Sequence, residues 1–429
     1  MNPQVFFLPE DHPDRRALND EVHARPPDSL EAPMRMSYLV LVGTGSRSDD
    51  LHALSQLLEG TGAPKPAPDA NHFVADLGSH RVKWERHTEF CRYTFFAQGI
   101  EKKPFSEPAI SLVPQNWLKS LHGRTIAAIH ATVIRSPKPP EPSKIAESYF
   151  NGNTIIGSTI SGHAGRAYTD FRIHADGFGR LLVWDHHMTP RQAGRLVQRL
   201  FEIDTYRMMA LLALPMARKL TPFLGTAENE LISVMSAMKT AGEAEEPGLL
   251  DRLTRLEADV ERQYTDNQYR FTAANAYYDI VQQRIEELRA ERIEGLQTFR
   301  EFNDRRFSPA IATCRAVSAR AQALSERISR ASLLLATRVS VSREKQNQSL
   351  LQSMDRRANL QLRLQQTVEG LSVAAITYYI VGLVYYAAKG ILPKEGGSVT
   401  PEFVAALAIP VALLAVGIGL HRFRKSLHD

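Results

Sequence analysis

Apolar positions along the chain change their period twice, and the changes divide it. Up to about residue 225, β-rich runs alternate with helical ones. Residues 36–42 form one such run, and residues 80–85 and 91–97 read as a strand pair. Residues 125–134, 154–160, 168–174 and 181–184 predict further strands, with Asp176-Gly177-Phe178-Gly179 as the turn between the last two. Short helices are expected at residues 13–24, stopped by Pro26-Pro27, and at 49–59, where Leu51, Leu54, Leu57 and Leu58 keep helical spacing. The sum is an α/β or α+β domain over residues 1–225, with a sheet of about six strands.

From Thr189 the pattern is helical. Thr189 suits an N-cap and Pro190 the first helical position. After a break at residues 242–248, Leu249, Leu253, Leu256 and Val260 step by 4, 3 and 4, and Val281, Ile285 and Leu288 follow suit. Ser308-Pro309 punctuates the run, and Leu324, Ile328, Ala331 and Leu335 restart it toward Val368. Two arms, 249–307 and 310–369, predict a long antiparallel helical hairpin, a coiled-coil stalk within residues 226–369. Each arm would span about 90 Å at 1.5 Å per residue.

Residues 371–388 and 403–420 each run for 18 residues without a charge, at the lower end of what a hydrocarbon core of about 30 Å requires. The apolar side chains favour insertion by roughly 2 to 4 kcal/mol in the first and 3 to 6 kcal/mol in the second. The polar link at 389–402 makes them a transmembrane hairpin within residues 370–421, followed by a basic tail at 422–429. Lys and Arg counts of 3 before the first span, 2 in the link and 3 after the second put both ends inside. The first apolar patch, residues 5–8, has no basic residue before it and does not resemble a secretory signal, so the N-terminal body is expected to be cytoplasmic. Tyr385 and Tyr386 then sit near the outer interface, and Pro410 kinks the second span.

Composition narrows the class. A net charge of +5 from 52 basic and 47 acidic residues lacks the clustered positive charge that nucleic acid demands. Two cysteines, Cys91 and Cys314, cannot form a disulfide framework, which fits a reducing compartment.

Two long runs carry a family resemblance. His12-Pro13, Asn19-Asp20-Glu21-Val22-His23-Ala24-Arg25-Pro26 and Leu30-Glu31-Ala32-Pro33 open the chain. Ser353-Met354-Asp355-Arg356-Arg357 and Leu360-Gln361-Leu362-Arg363-Leu364-Gln365-Gln366-Thr367-Val368-Glu369-Gly370-Leu371-Ser372 precede the first span. They resemble the domain of unknown function 3422 family of proteobacterial membrane-anchored proteins, over essentially the whole chain. The resemblance implies a membrane anchor and no established activity; the expected location is a bacterial inner membrane. The order of elements is also similar to CorA-type divalent-cation channels, which are homopentamers. Their Gly-Met-Asn signature is replaced here by Tyr386-Ala387-Ala388 and its neighbours.

Candidate chemistry is sparse. Ser372, Tyr379, Gly382 and Tyr386, at steps of 7, 3 and 4, share a helical face. That face suits either an oligomeric pore for a cation such as Mg²⁺ or close helix packing. Asp185-His186-His187, with His163 and His174, offers metal-ligand types; Asp185 equally suits a loop cap before the Thr189 helix. Gly43-Thr44-Gly45 lies where a dinucleotide turn would be, but Ser48 replaces the third glycine, which favours a plain strand-to-helix turn. Of Glu21, His23 and Arg25, the first and last share a helical face while His23 points elsewhere, which suits a Glu–Arg surface or interdomain pair better than catalysis. No Ser/His/Asp arrangement is legible, so an enzyme is not expected, and no small-molecule substrate is identifiable. The leading expectation is a CorA-like homo-oligomer in the bilayer that moves or senses cations. The alternative is a non-conducting scaffold or sensor whose cytoplasmic domain binds a partner.

Overall fold

The computed structural model describes residues 9–23, 27–100, 103–136, 138–160, 162–391 and 400–426. The chain divides into two units: Met1–Lys239 with Asp251–Ser332, and Thr240–Leu250 with Leu333–Asp429.

The first unit begins with α1 (Arg15–His23), β1 (Met34–Val42), α2 (Arg47–Leu58), β2 (His72–Asp76), β3 (Arg81–Arg86) and β4 (Phe90–Gln98). A short 3-10 turn (Ala109–Leu112) and α3 (Gln115–Ser120) lead into β5 (Arg124–Arg135), α4 (Pro142–Tyr149), β6 (Ile156–Ile160), β7 (Gly165–Thr169) and β8 (Gly179–Asp185). Helices α5 (Pro190–Leu211), α6 (Ala213–Ala237) and α7 (Glu246–Glu287) follow, then β9 (Glu291–Arg292), α8 (Phe299–Arg306) and α9 (Ser308–Ile391). Among the described residues nine strands form one sheet, ordered β2-β3-β4-β1-β5-β8-β7-β6-β9. Neighbours run antiparallel except β5 and β8, which are parallel and in register from Ile129–Gly179 to Arg135–Asp185.

The sheet has more strands than the six or so expected. β2 buries only Ala75, and β9 is the dipeptide Glu-Arg on the β6 edge, so neither carries a strong apolar signal. The strand expected at 168–174 stops at Thr169, because Phe171 turns to a φ of 51°. The arm expected at 249–307 is broken: α7 ends at Glu287, Arg289 takes a φ of 47°, and β9 and α8 intervene.

Both faces of the sheet are covered, so β1 and β4 are buried along nearly their whole length, Ser37, Arg92 and Thr94 included. On one face Leu39, Leu41, Val82, Trp84, Tyr93 and Phe95 pack against Leu54, Leu57 and Leu58 of α2 and Trp117 of α3. A neighbouring cluster joins Tyr168, Leu182 and Trp184 to Ile145, Phe150 and Ile155. The other face carries α5, whose Phe201 stacks on Tyr38 with ring centroids 4.3 Å apart. Thr189 and Gln192 close a capping box at its start, with Pro190 in the first turn. Gly194 is required here: a Cβ would lie 1.6 Å from the Asp28 carbonyl oxygen.

Helices α6, α7 and the early part of α9 pack by side. Tyr278 meets Ser308, Asn275 meets Arg315 and Glu261 meets Ser325, so α7 and α9 run antiparallel. Glu228 of α6 takes a two-point contact from Arg320. Ile311, Cys314, Val317, Ala321, Leu324, Ile328 and Ala331 form the buried stripe of α9.

In the second unit, α10 (Pro401–Ser426) follows α9. Thr377 and Ala388 of α9 and Ala412 of α10 are buried there, and Tyr385 Oη donates to Glu402 Oε1 at 3.5 Å. Two helices, Phe299–Ile391 and Pro401–Leu420, contain stretches apolar enough to cross a membrane, with mean hydropathy 1.6 and 2.6. Only 6% of either stretch is buried.

Replacing Phe201 with Ala removes the ring that covers Tyr38. The stability of the sheet unit should fall by about 3 to 5 kcal/mol, read as an earlier denaturant midpoint in tryptophan fluorescence.

Candidate functional site

A cavity of about 340 Å³ opens between α5 and the sheet, within the range of small-molecule pockets. Leu200, Ile203, Asp204, Arg207 and Met208 line it from α5, at the three- and four-residue steps that place side chains on one helical face. Thr125, Ala127 and Ile129 of β5 and Leu181 of β8 face them from the sheet. Thr169, Phe171 and Ile173 after β7, and Phe299 at the start of α8, complete the lining. The walls are largely apolar, and the polar groups are few.

Arg207 is the main one. It pairs with Asp204 one turn earlier, and its guanidinium lies 4.3 Å from the centre of the Phe171 ring. Its Nε is buried without a hydrogen-bond partner. Arg172 adds a second cation at an exposed position of the lining. Arg180 also borders the cavity, but its guanidinium is committed to the Tyr149 carbonyl at 2.6 Å.

The loop between β7 and β8 is held from both ends. Asp170 accepts from Asn153 Nδ2 at 2.8 Å and from the Arg172 amide at 3.2 Å, and His174 Nε2 lies 2.9 Å away. Asp176 accepts from the Phe178 amide at 3.0 Å, forming the predicted turn. Phe178 then stacks on His130 at 3.9 Å. His130 Nδ1 lies 2.9 Å from Ser37 Oγ, and its Nε2 lies 3.9 Å from Asp176.

That series has the order of a hydrolytic triad and a different role. Ser37 is fully buried, and its Oγ accepts from the Ile110 amide at 3.0 Å, leaving its proton for His130. It ties the 3-10 turn to the sheet. Burial pushes His130 down to about 4, so it is neutral at pH 7.

Beside Phe201, on the other flank of α5, lies a network of buried charges. Asp28 pairs with Arg81 and Lys83, Lys83 also meets Glu85, and Arg92 Nε donates to Glu85 Oε2 at 2.6 Å. Glu202 of α5 accepts from Arg284 of α7 at 2.5 Å. Burial alone would raise the Glu85 carboxyl; Arg92 and Lys83 outweigh it and hold Glu85 below the usual carboxylate range. The space left there is about 30 Å³, too small for an organic ligand. It is a brace.

The residues singled out from sequence are scattered. Asp185 is buried at the end of β8: Arg135 Nη2 reaches it at 2.7 Å and the Met188 amide at 2.6 Å, so it caps the turn into α5. His186 Nδ1 lies 3.2 Å from the His163 carbonyl, while His163 Nε2 pairs with Glu291 at 3.0 Å. Among the described residues no group of three or more His, Cys, Asp or Glu is placed to hold a metal. Gly43-Thr44-Gly45 is a strand-to-helix turn, with Gly43 at φ 65° and a Ser46–Asp49 capping box after it. Glu21 and His23 belong to α1, and Arg25 lies outside the described residues. Ser372, Tyr379 and Tyr386 are exposed on α9, and Gly382 is half-buried. Nothing in the sequence marked the cavity, whose walls come from residues 125 to 299.

His130 makes the loop anchor sensitive to acid. Its folded pKa of about 4 lies below the unfolded value near 6.5, so the unfolded chain takes the proton first. Its contribution is complete above pH 6.5 and is lost as the pH falls toward 4, on the order of 3 kcal/mol. His130→Asn should flatten the fall in unfolding midpoint over that window; an unchanged slope would remove His130 from the account.

No curated protein and no solved structure matches the chain. A family model matches residues 10–427, nearly its whole length. The chain belongs to the family described as protein of unknown function (DUF3422).

Proposed function

We propose that this chain is a two-span integral membrane protein that holds a ligand-binding α+β domain at the membrane: a tethered sensor or scaffold. The observation that carries the membrane half is exposure. Residues 371–388 and 403–420 carry no charge, yet only 6% of each apolar stretch is buried. A core helix of the same composition would be covered by protein, and an apolar surface of this extent is stable only against another apolar phase. The balance of Lys and Arg, 3, 2 and 3, supports cytoplasmic ends in a bacterial inner membrane. The ligand-binding half rests on the cavity beside Arg207.

The membrane assignment is tested by fractionation. The full chain should stay in the pellet after alkaline carbonate extraction. A double variant, Ile376→Arg and Leu413→Arg, adds roughly 2.5 to 3.5 kcal/mol per helix against insertion and should move a large fraction to the supernatant. Release of the unaltered chain by carbonate would overturn the assignment.

A second reading, a CorA-like homo-oligomer conducting a divalent cation such as Mg²⁺, is favoured by one feature. Ser372, Tyr379 and Tyr386 are exposed on α9, whereas Thr377 and Ala388 are buried. Copies assembling as a coiled coil through α9 would bring those hydroxyls together. Mg²⁺ flux into proteoliposomes, reduced at least tenfold by Tyr379→Leu, would support it. Intact oligomers that pass no cation would sink it.

A further inference from the structure

We infer that the cavity between α5 and β5 takes a compact amphipathic anion, a carboxylate or phosphate monoester on an apolar body. The assignment rests on the cavity being a binding site, and it adds the ligand's charge and shape.

The walls fix the body. Leu200, Ile203, Ala127, Ile129 and Leu181 present only carbon, so a polar body would leave its hydrogen bonds unmade there. The volume of about 340 Å³ limits the body to a short chain or a single ring system.

The charge follows from Arg207. A guanidinium offers five N–H donors in a fixed fork. Asp204 takes Nη2, Phe171 covers a face, Nε is sealed from solvent without a partner, and Nη1, which makes no hydrogen bond among the described residues, is left for an incoming group. An unpaired donor in an apolar surround is costly, so an incoming acceptor gains more at Arg207 than an incoming donor could. Asp204 is the lone carboxylate among the described residues of the lining, and it is already paired. Arg172 adds positive charge without a matching acid.

The rim leaves an apolar side chain uncovered. Phe171 holds a φ of 51°, a left-handed conformation unfavourable for a side chain of its size, and its ring stacks on Phe302 at 4.5 Å. Ile173, two residues on, is 76% exposed, although it borders the cavity. A ligand with an apolar body would cover it.

The test uses the full chain in nanodiscs of zwitterionic lipid, with four probes of one chain length: octanoate, octyl phosphate, octanol and octylammonium. Equilibrium dialysis, corrected with empty nanodiscs, should show at least one anion bound ten or more times more tightly than octanol or octylammonium. Whichever anion binds more tightly distinguishes a free carboxylic acid from a phosphate-bearing lipid fragment. Arg207→Gln should bring the anion within about twofold of octanol while octanol itself is unchanged. Thr125→Trp, at an exposed position of the lining, should weaken all of them. Octanol binding as tightly as both anions, with Arg207→Gln silent, overturns the anion assignment and leaves the cavity as a site. No binding above empty nanodiscs, from protein with an unaltered melting transition, overturns the cavity as well. Binding that Thr125→Trp leaves unchanged places the probes elsewhere and also defeats the inference.

Discussion

The first unit depends on how α5 lies across a sheet that must be covered on both faces. Its start is pinned at several points: the Thr189–Gln192 capping box, Asp185 on the Met188 amide, and the Asp28 carbonyl against Gly194. Phe201 on Tyr38 and the Thr205–Tyr38 hydrogen bond of 2.8 Å fix its middle. Farther along, Tyr206 meets the Phe90 ring of β4 edge-on at 6.1 Å. A sheet twists while a helix runs straight, so the two diverge away from their closest contact. The cavity opens along one flank of α5, between Leu200 and Met208, while Phe201 and Thr205 hold the other flank to Tyr38.

The charged brace keeps that geometry in place. A buried ion pair adds little net stability compared with apolar residues of the same volume, because desolvation offsets attraction. Its effect is on arrangement. Glu85 and Arg92 lie in the sheet, Glu202 on α5 and Arg284 on α7, so sliding either helix would strand a charge. Glu89 adds a second tie to α7, accepting from Arg270 at 2.8 Å and Tyr277 Oη at 2.6 Å.

What was legible from sequence was local. The strand runs at residues 36–42 and 91–97, the Thr189-Pro190 start of α5 and the Asp176–Gly179 turn depend on neighbours in the chain, and each stands where the pattern put it. Tertiary context decided the rest. β9 is a strand only because Glu291 and Arg292 meet an open edge of β6, and that pairing breaks the long helical arm expected at 249–307. The cavity was invisible for the same reason. Arg207 looks like one more polar residue on an amphipathic helix until Phe171, 36 positions earlier, comes to lie beneath it. The metal-like Asp185-His186 pair shows the converse, since Arg135 and the Met188 amide use the carboxylate from either side.

The apolar hairpin carries one more constraint. Tyr378 and Tyr379 are the eighth and ninth of the 18 uncharged residues beginning at Leu371. If that stretch crosses a bilayer, their hydroxyls start about 12 Å from its nearer end at 1.5 Å per residue, away from the interface where tyrosine is favoured. A hydroxyl in hydrocarbon needs a hydrogen-bond partner. Residues 403–420 contain no polar side chain that could serve. The backbone acceptor freed there is the Ala406 carbonyl, because Pro410 lacks the N–H that would otherwise reach it. Both rings are exposed, at 77% and 71%, so in such a crossing their hydroxyls would face hydrocarbon unless a further polar group reached them.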